Sequence, residues 1–407
     1  MRGLLATSRM RLFFLGNTLS TIGDYALWLA AGIWVKELTG STAAAGLSFL
    51  CLTCGTLLSP LTGLLVDQIR RRPLLIATNA VTGLLVLSLV TVHHADQVWL
   101  VYTVMFLYGL SSSVTSAATA ALLPQLVPSE VLGTANGLTQ ALTQGQRLVT
   151  PALGVGLLSL YGGGAVALLD AGTFAAAVLC WAAIRVEEEE PQPPAGQWLR
   201  ETTAGFAFLL RTPLLRQLTV TLTVALFVLG FFETLGIAVA TVGLHHAPSW
   251  TGVIVTAMGI TGIVGGMLAG PLMQRTGPGR LTALGLGVIC AGVLAMIAHT
   301  DWIVIGGALL MGLGIPFVVV GALTAVQLNT PGELMGRVSG ADSFLVAGGQ
   351  SMGIATGAAL ISVLPYQVLC ITAAAVLGLS AVYLMTRREQ RAMVIAPVET
   401  AVVAAGS

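Results

Sequence analysis

Four ionisable residues stand inside long apolar runs of the 407-residue chain: Asp24, Arg147, Asp170 and Glu233. A charge at membrane depth is costly, so such residues face protein or a water-filled cavity, and they pair with one another or carry ions. Asp24 and Arg147 lie near the middle of their runs and in the same half of the chain, where an ion pair would reduce the desolvation cost of both. Glu233, in Phe231-Phe232-Glu233-Thr234, has no basic residue at comparable depth in its own half. The chemistry open to Glu233 and Asp24 is reversible proton carriage. The alternative for each, and the simpler reading of Asp170, is a hydrogen bond to a neighbouring helix. Hydrolytic and metal chemistry lack their residues: there is no H-E-x-x-H, no G-x-S-x-G and no His inside an apolar run.

The elements that must position these groups follow from composition. Of the residues, 56% are hydrophobic and 9% charged, with a mean hydropathy of +0.90, against about 25% charged residues in a soluble domain. Such a chain cannot clothe a water-facing surface, which excludes a cytosolic enzyme, a nucleic-acid binder and a secreted disulfide scaffold. A net charge of +1 points to no polyanionic partner. Apolar runs of about 20 residues or more suit helices crossing a hydrocarbon core of about 30 Å. Twelve are expected, at 12–35, 43–66, 73–93, 98–123, 135–160, 164–184, 214–242, 250–274, 280–299, 302–326, 338–363 and 366–386. Forty-nine glycines, many within these runs, favour close helix contacts. Cys51, Cys54, Cys180, Cys290 and Cys370 all fall in apolar segments and read as small packing residues, so no disulfide, metal or cofactor is implied.

Sixteen of the eighteen basic residues fall at the N-terminus, in even-numbered loops or in the C-terminal tail; Lys36 and Arg147 are the other two. By the positive-inside rule both termini are expected in the cytoplasm, in a multi-pass protein of the cell's inner (plasma) membrane. The first run resembles a signal peptide, but Asp24 interrupts it and its length suits a retained helix. One loop stands apart: the acidic run Glu187–Glu190, then three prolines, then Trp198–Arg211, which reads as an interfacial amphipathic helix. The acidic run reads as a solvated linker or as a regulatory element. The expected division is an N-terminal six-helix half at 1–184, a linker at 185–213, a C-terminal half at 214–386 and a tail at 387–407.

The halves repeat. The loop from Gly63 through Asp67 to Arg70, Arg71 and Arg72 matches that from Gly270 through Gln274 and Arg275 to Arg280, at an offset of 207. Pro128-Ser-Glu130-Val-Leu-Gly133 matches Pro331-Gly-Glu333-Leu-Met-Gly336 at an offset of 203. Six helices return the chain to its starting side, so the repeats are parallel, related by an axis along the membrane normal. Here the sequence resembles the major facilitator superfamily, whose loop signature is Gly-x-x-x-Asp-Arg-x-Gly-Arg-Arg; Gly63, Asp67, Arg71 and Arg72 match it, and the second copy carries Gln274 where the acid belongs. Gly23-Asp24-Tyr25, Asn136-Gly137-Leu138 and Asp170-Ala171 look like its drug-, macrolide- and siderophore-exporter branch.

The resemblance implies an all-α membrane protein of twelve transmembrane helices in two six-helix pseudo-symmetric halves. It also implies a conformational latch of Gly63, Asp67, Arg71, Arg72, Arg275 and Arg337, in which Asp67 pairs with cytoplasmic arginines or caps the helix near Arg337. In that family helices 1, 4, 7 and 10 line a central cavity. Asp24, Glu233 and Arg147 are then candidates for proton coupling, and Tyr25, Trp28, Tyr108, Gln140, Gln144, Phe227, Phe231 and Gln350 for the substrate path. An aromatic lining suits an amphipathic organic molecule. The expected activity is proton-coupled efflux of a small compound by alternating access, in a monomer whose partners are substrate, protons and the lipid bilayer, with no nucleic acid. Uptake or lipid translocation on the same fold, or a receptor that transports nothing, are the other readings.

Overall fold

The structure is a computed structural model that describes residues 7–186, 188, 198–246, 250–361 and 363–391. Among these residues there is no strand. Helix α1 (Ser8–Thr39) ends at Gly40, whose φ of 70° permits the left-handed turn that returns its N–H to the Lys36 carbonyl. The second run is bent by 44° between α2 (Thr42–Thr56) and α3 (Ser59–Gln68). Pro60 lies in the first turn of α3, where its missing N–H costs nothing. There follow α4 (Arg71–Ser88), α5 (Val98–Leu126), α6 (Ser129–Tyr161), α7 (Gly163–Ala183), α8 (Trp198–Arg211) and α9 (Pro213–Ala238). Helix α9 runs into a π turn at Val239–Gly243. The chain closes with α10 (Thr251–Thr276), α11 (Pro278–Ala295), α12 (Asp301–Asn329), α13 (Met335–Leu360), α14 (Tyr366–Thr386) and the short α15 (Arg388–Arg391).

Among the described residues eight helices are long and apolar enough to cross a membrane, and the bent α2–α3 pair makes up to a ninth. Helices α1, α6 and α13, with 32, 33 and 26 residues, are long enough at about 1.5 Å per residue but too polar to qualify on composition. That length is consistent with the twelve spans expected, of which eight or nine meet the hydropathy requirement among the described residues. The helices that fall short on hydropathy are those that carry Asp24, Arg147 and Arg337.

The residues pack into two compact units. One is Met1–Leu126, Gln146–Phe208 and Thr330–Phe344; the other is Val127–Gly145, Leu209–Asn329 and Leu345–Ser407. The start of α13 thus packs within the first unit and the start of α6 within the second. In the first, Leu27, Trp34, Val86, Met105, Tyr108 and Phe174 form a buried core. In the second, Leu218, Phe231, Leu286, Met311, Tyr366 and Leu377 do so. Helix α8 joins the first unit at the start of α13, where a side chain on Gly205 would strike the Arg337 carbonyl and Phe206 meets Phe344 edge-on at 5.8 Å.

Candidate functional site

Within the first unit, α1, α5 and α7 bring Asp24, Tyr108 and Asp170 together. The Tyr108 hydroxyl lies 2.6 Å from Asp24 Oδ1, and 3.1 and 3.4 Å from Asp170 Oδ2 and Oδ1. Asp170 is 0% exposed and Tyr108 4%, its ring edge-on to Phe174. Gly23 makes the approach possible: a Cβ there would run into the Asp170 carboxyl, with Cγ at 2.8 Å, and into the Thr173 hydroxyl. The sequence signal is a glycine next to an acid inside an apolar run, but it does not name the partner helix.

The ion pair open to Asp24 and Arg147 is not formed in this structure. Asp24 bonds to Tyr108, and the Arg147 guanidinium sits instead over the Tyr25 ring, 5.9 Å from its centroid. The reason is register on α6: the residue before Arg147, Gln146, turns toward α1, accepting from the Thr21 hydroxyl at 2.8 Å and donating to the Thr18 carbonyl at 2.7 Å. Arg147 is left exposed beside Tyr25. Asp170 has the neighbouring-helix hydrogen bond read for it, but to the same hydroxyl that Asp24 uses.

The second site in this unit is the motif loop. Asp67 Oδ1 accepts the Gly336 N–H at 2.6 Å, and Oδ2 accepts both the Arg337 N–H at 2.9 Å and its Nε–H at 3.0 Å. The carboxylate therefore pairs with Arg337 and caps the first turn of α13, using the N–H groups that a helix start leaves unbonded. Gly63 allows it, because a side chain there would strike the Gly336 carbonyl. Buried Arg71 donates from its guanidinium to the Gly332 carbonyl at 3.0 Å. Arg72 turns the other way and closes the C-terminal end of α7, donating to the Trp181 and Ala182 carbonyls at 3.0 and 2.6 Å. Glu188, read as part of a solvated run, instead accepts the backbone N–H groups of Arg71 and Arg72 at 2.5 and 2.9 Å and caps α4. Glu187, Glu189 and Glu190 lie outside the described residues.

The second unit holds the other copy. Gln274 Nε2 donates to the Glu130 carbonyl at 3.1 Å and approaches the Thr134 hydroxyl at 3.5 Å. An amide in the acid's place serves as a donor to α6, where Asp67 serves as an acceptor for α13. The Arg275 side chain is exposed and makes no hydrogen bond among the described residues. Asn136 Nδ2, a residue of the branch-like motif, donates to Thr324 Oγ1 and Gln327 Oε1 at 2.8 and 2.6 Å.

The substrate-path candidates divide between the units. Tyr25 is half-buried in the first, and Trp28 is 43% exposed with its ring edge-on to Phe49. Tyr108 is not a bare lining residue, being sealed in the core. In the second unit Phe227 and Phe231 stack edge-on at 5.2 Å, Phe231 only 7% exposed. Gln140 and Gln350 are half-buried, and Gln144, beside Gly262, has a buried Oε1 without a hydrogen-bond partner. The Glu233 side chain lies outside the described residues. Among the described residues no group of three His, Cys, Asp or Glu is placed to hold a metal.

The sequence model of a family described as Major Facilitator Superfamily matches residues 13–353 and 217–405. A relative, the enterobactin exporter EntS of Shigella flexneri, is 26% identical over 365 residues, covering 86% of this chain and 83% of the relative. The fold is similar to that of the human organic anion transporter MFSD10 (TETRAN), with a TM-score of 0.77 at 15% identity over 93% of this chain and 99% of that one. It is also similar to a bacterial homologue of the iron transporter ferroportin in an outward-facing state, with a TM-score of 0.75 at 17% identity over 92% and 98%.

Proposed function

The chain belongs to the Major Facilitator Superfamily, and we propose from that premise that it exports a small amphipathic organic compound, of the siderophore or drug type, in exchange for protons. As a member it is a multi-pass membrane transporter of small molecules and not an enzyme. Export is supported by the relative that exports enterobactin, which makes enterobactin the first compound to test. The observation that carries proton coupling is Asp24, an acid in the interior of α1 that bonds to a tyrosine and to no cation among the described residues. A proton moving inward yields about 2.3 kcal/mol per charge per 100 mV of membrane potential, enough for one or two protons to drive useful accumulation outside.

In this reading Asp24 or Glu233 takes a proton from the outer side as substrate leaves there, and gives it up on the inner side as substrate binds. The motif loop around Asp67 and Arg337 holds one conformation of the cycle. The protein works as a monomer in the inner membrane with both termini in the cytoplasm. In inverted membrane vesicles, an imposed pH gradient is expected to drive enterobactin into the lumen, a protonophore to abolish that uptake, and the D24N/E233Q double variant to lack it. Full proton-driven accumulation by the double variant, or accumulation by right-side-out vesicles instead, would overturn the reading.

A further inference from the structure

We propose, building on the proton-coupled reading above, that Asp24, Tyr108 and Asp170 form one proton-holding site in which two carboxyls share a proton through the tyrosine hydroxyl, with Asp24 the end that exchanges it.

The argument is a count of hydrogens. A phenol has a single O–H to donate, and an ionised carboxylate only accepts. The Tyr108 oxygen nevertheless lies within hydrogen-bond distance of both acids, 2.6 Å from Asp24 and 3.1 Å from Asp170. If both acids were ionised, one hydrogen would serve two anions, one of them, Asp170, fully buried. One carboxylate would then face the lone pairs of the phenol with nothing between them. A proton on one acid removes the conflict. The lengths say which one: 2.6 Å lies in the range of about 2.5–2.7 Å for an O–H donating to an anion, while 3.1 Å is longer than such bonds. The short contact assigns the Tyr108 O–H to the Asp24 carboxylate, and in the proposed arrangement the remaining proton sits on Asp170, on the side facing the Tyr108 oxygen.

Among the described residues the surrounding elements supply no other counter-charge. Of the elements packed on this site, α6 brings Arg147, which lies over Tyr25. From α7 the Thr173 hydroxyl donates to the Asp170 backbone carbonyl at 2.7 Å and stands 3.5 Å from its Oδ1. The Asn79 side chain of α4 is engaged with Ser20 and the Leu75 carbonyl, and Thr82 of α4 with Ser111. Of titratable groups α2 carries the thiols of Cys51 and Cys54, and α5 otherwise Tyr102, whose hydroxyl is bonded to the Ala44 carbonyl.

The same geometry allows transfer. If the Asp170 hydrogen moves to the Tyr108 oxygen as the Tyr108 hydrogen moves to Asp24, the negative charge passes from Asp24 to Asp170. The number of protons is unchanged and the tyrosine ends neutral. Asp170 and Tyr108 are sealed, whereas Asp24 is half-buried, so exchange with water runs through Asp24.

The test uses the full-length protein in lipid nanodiscs and needs no substrate. Infrared spectra at pH 7 are expected to show a protonated-carboxyl C=O stretch that shifts when aspartate is carbon-13 labelled at its side-chain carboxyl. The band is expected to be unchanged in E233Q and to fall to background in D24N and in D170N, each of which leaves a single acid with the tyrosine as donor. Absence of a label-shifted band in the wild type, or its survival in the D24N/D170N double variant, would overturn the proposal. The labelled wild type decides alone if a variant does not fold. A band without proton-driven efflux would leave this site standing and sink the transport reading. Proton-driven efflux without the band would do the reverse and leave Glu233 as the carrier.

Discussion

Asp67 holds Arg337 by backbone and side chain at once: its Oδ2 accepts the Arg337 N–H at 2.9 Å and the guanidinium Nε–H at 3.0 Å. With Gly336 on the other oxygen, two of the three hydrogen bonds go to the backbone of a helix start, and the Asp67 side chain is 1% exposed against 16% for Arg337.

The two residues are therefore not equivalent. D67A removes all three bonds and leaves helix N–H groups unpaired, and is expected to cost about 3–5 kcal/mol, the range for breaking a buried pair. R337A leaves the cap intact and is expected to cost about 1–2 kcal/mol. Thermal unfolding in detergent reads the difference. The charge-swapped D67R/R337D is expected to recover little, because an arginine cannot accept backbone N–H groups; full recovery would show that charge alone matters.

At Gly23 the helices α1 and α7 touch with no room for a methyl group. G23A is expected to destabilise by about 1–3 kcal/mol, the usual cost of overpacking, and to weaken proton-driven transport because Asp170 must move. Gly40 is the contrast: nothing lies within 4 Å of a Cβ there, and its φ of 70° makes asparagine the tolerated replacement. Comparing melting curves of G23A and G40N separates contact from backbone strain.

Glu188 satisfies two N–H groups at the start of α4. E188A is expected to lower stability by about 0.5–2 kcal/mol, the cost of losing a helix cap. E188Q, which keeps one acceptor oxygen, is expected to fall between the wild type and E188A. Equal melting temperatures for all three would show that the contact contributes nothing.

Y108F keeps the aromatic ring against Phe174 but removes the hydroxyl that links half-buried Asp24 to buried Asp170. It is expected to cost about 1–3 kcal/mol and to slow proton-driven efflux while leaving the apparent affinity for a transported compound nearly unchanged. An unaltered rate would remove Tyr108 from the proton path.

The glutamate cap and the acid pair are contacts that leave no local pattern in the sequence. Apolar runs of spanning length disclose helices because lipid demands them, and the basic loops disclose the repeat because two copies stand in register. A run of four glutamates and three prolines looks solvated whichever of its members turns back onto a helix, since one carboxylate reaching two N–H groups leaves no periodic trace. Asp24 and Arg147 sit at similar depth on their helices, which makes pairing reasonable. Depth fixes one coordinate only, and the rotation of α6 about its own axis gives Gln146 to α1 and leaves Arg147 over Tyr25.

By itself, then, the sequence determined that this chain spans a membrane many times in two parallel repeats, with a handful of ionisable groups inside, because hydropathy and charge position follow from solvent alone. Only the tertiary structure decided that Asp24 answers to Tyr108 and Asp170, and that Asp67 caps the helix bearing Arg337. Those are contacts between helices far apart in the chain, fixed by helix rotation and by where glycines allow backbones to meet, and neither is written in local composition.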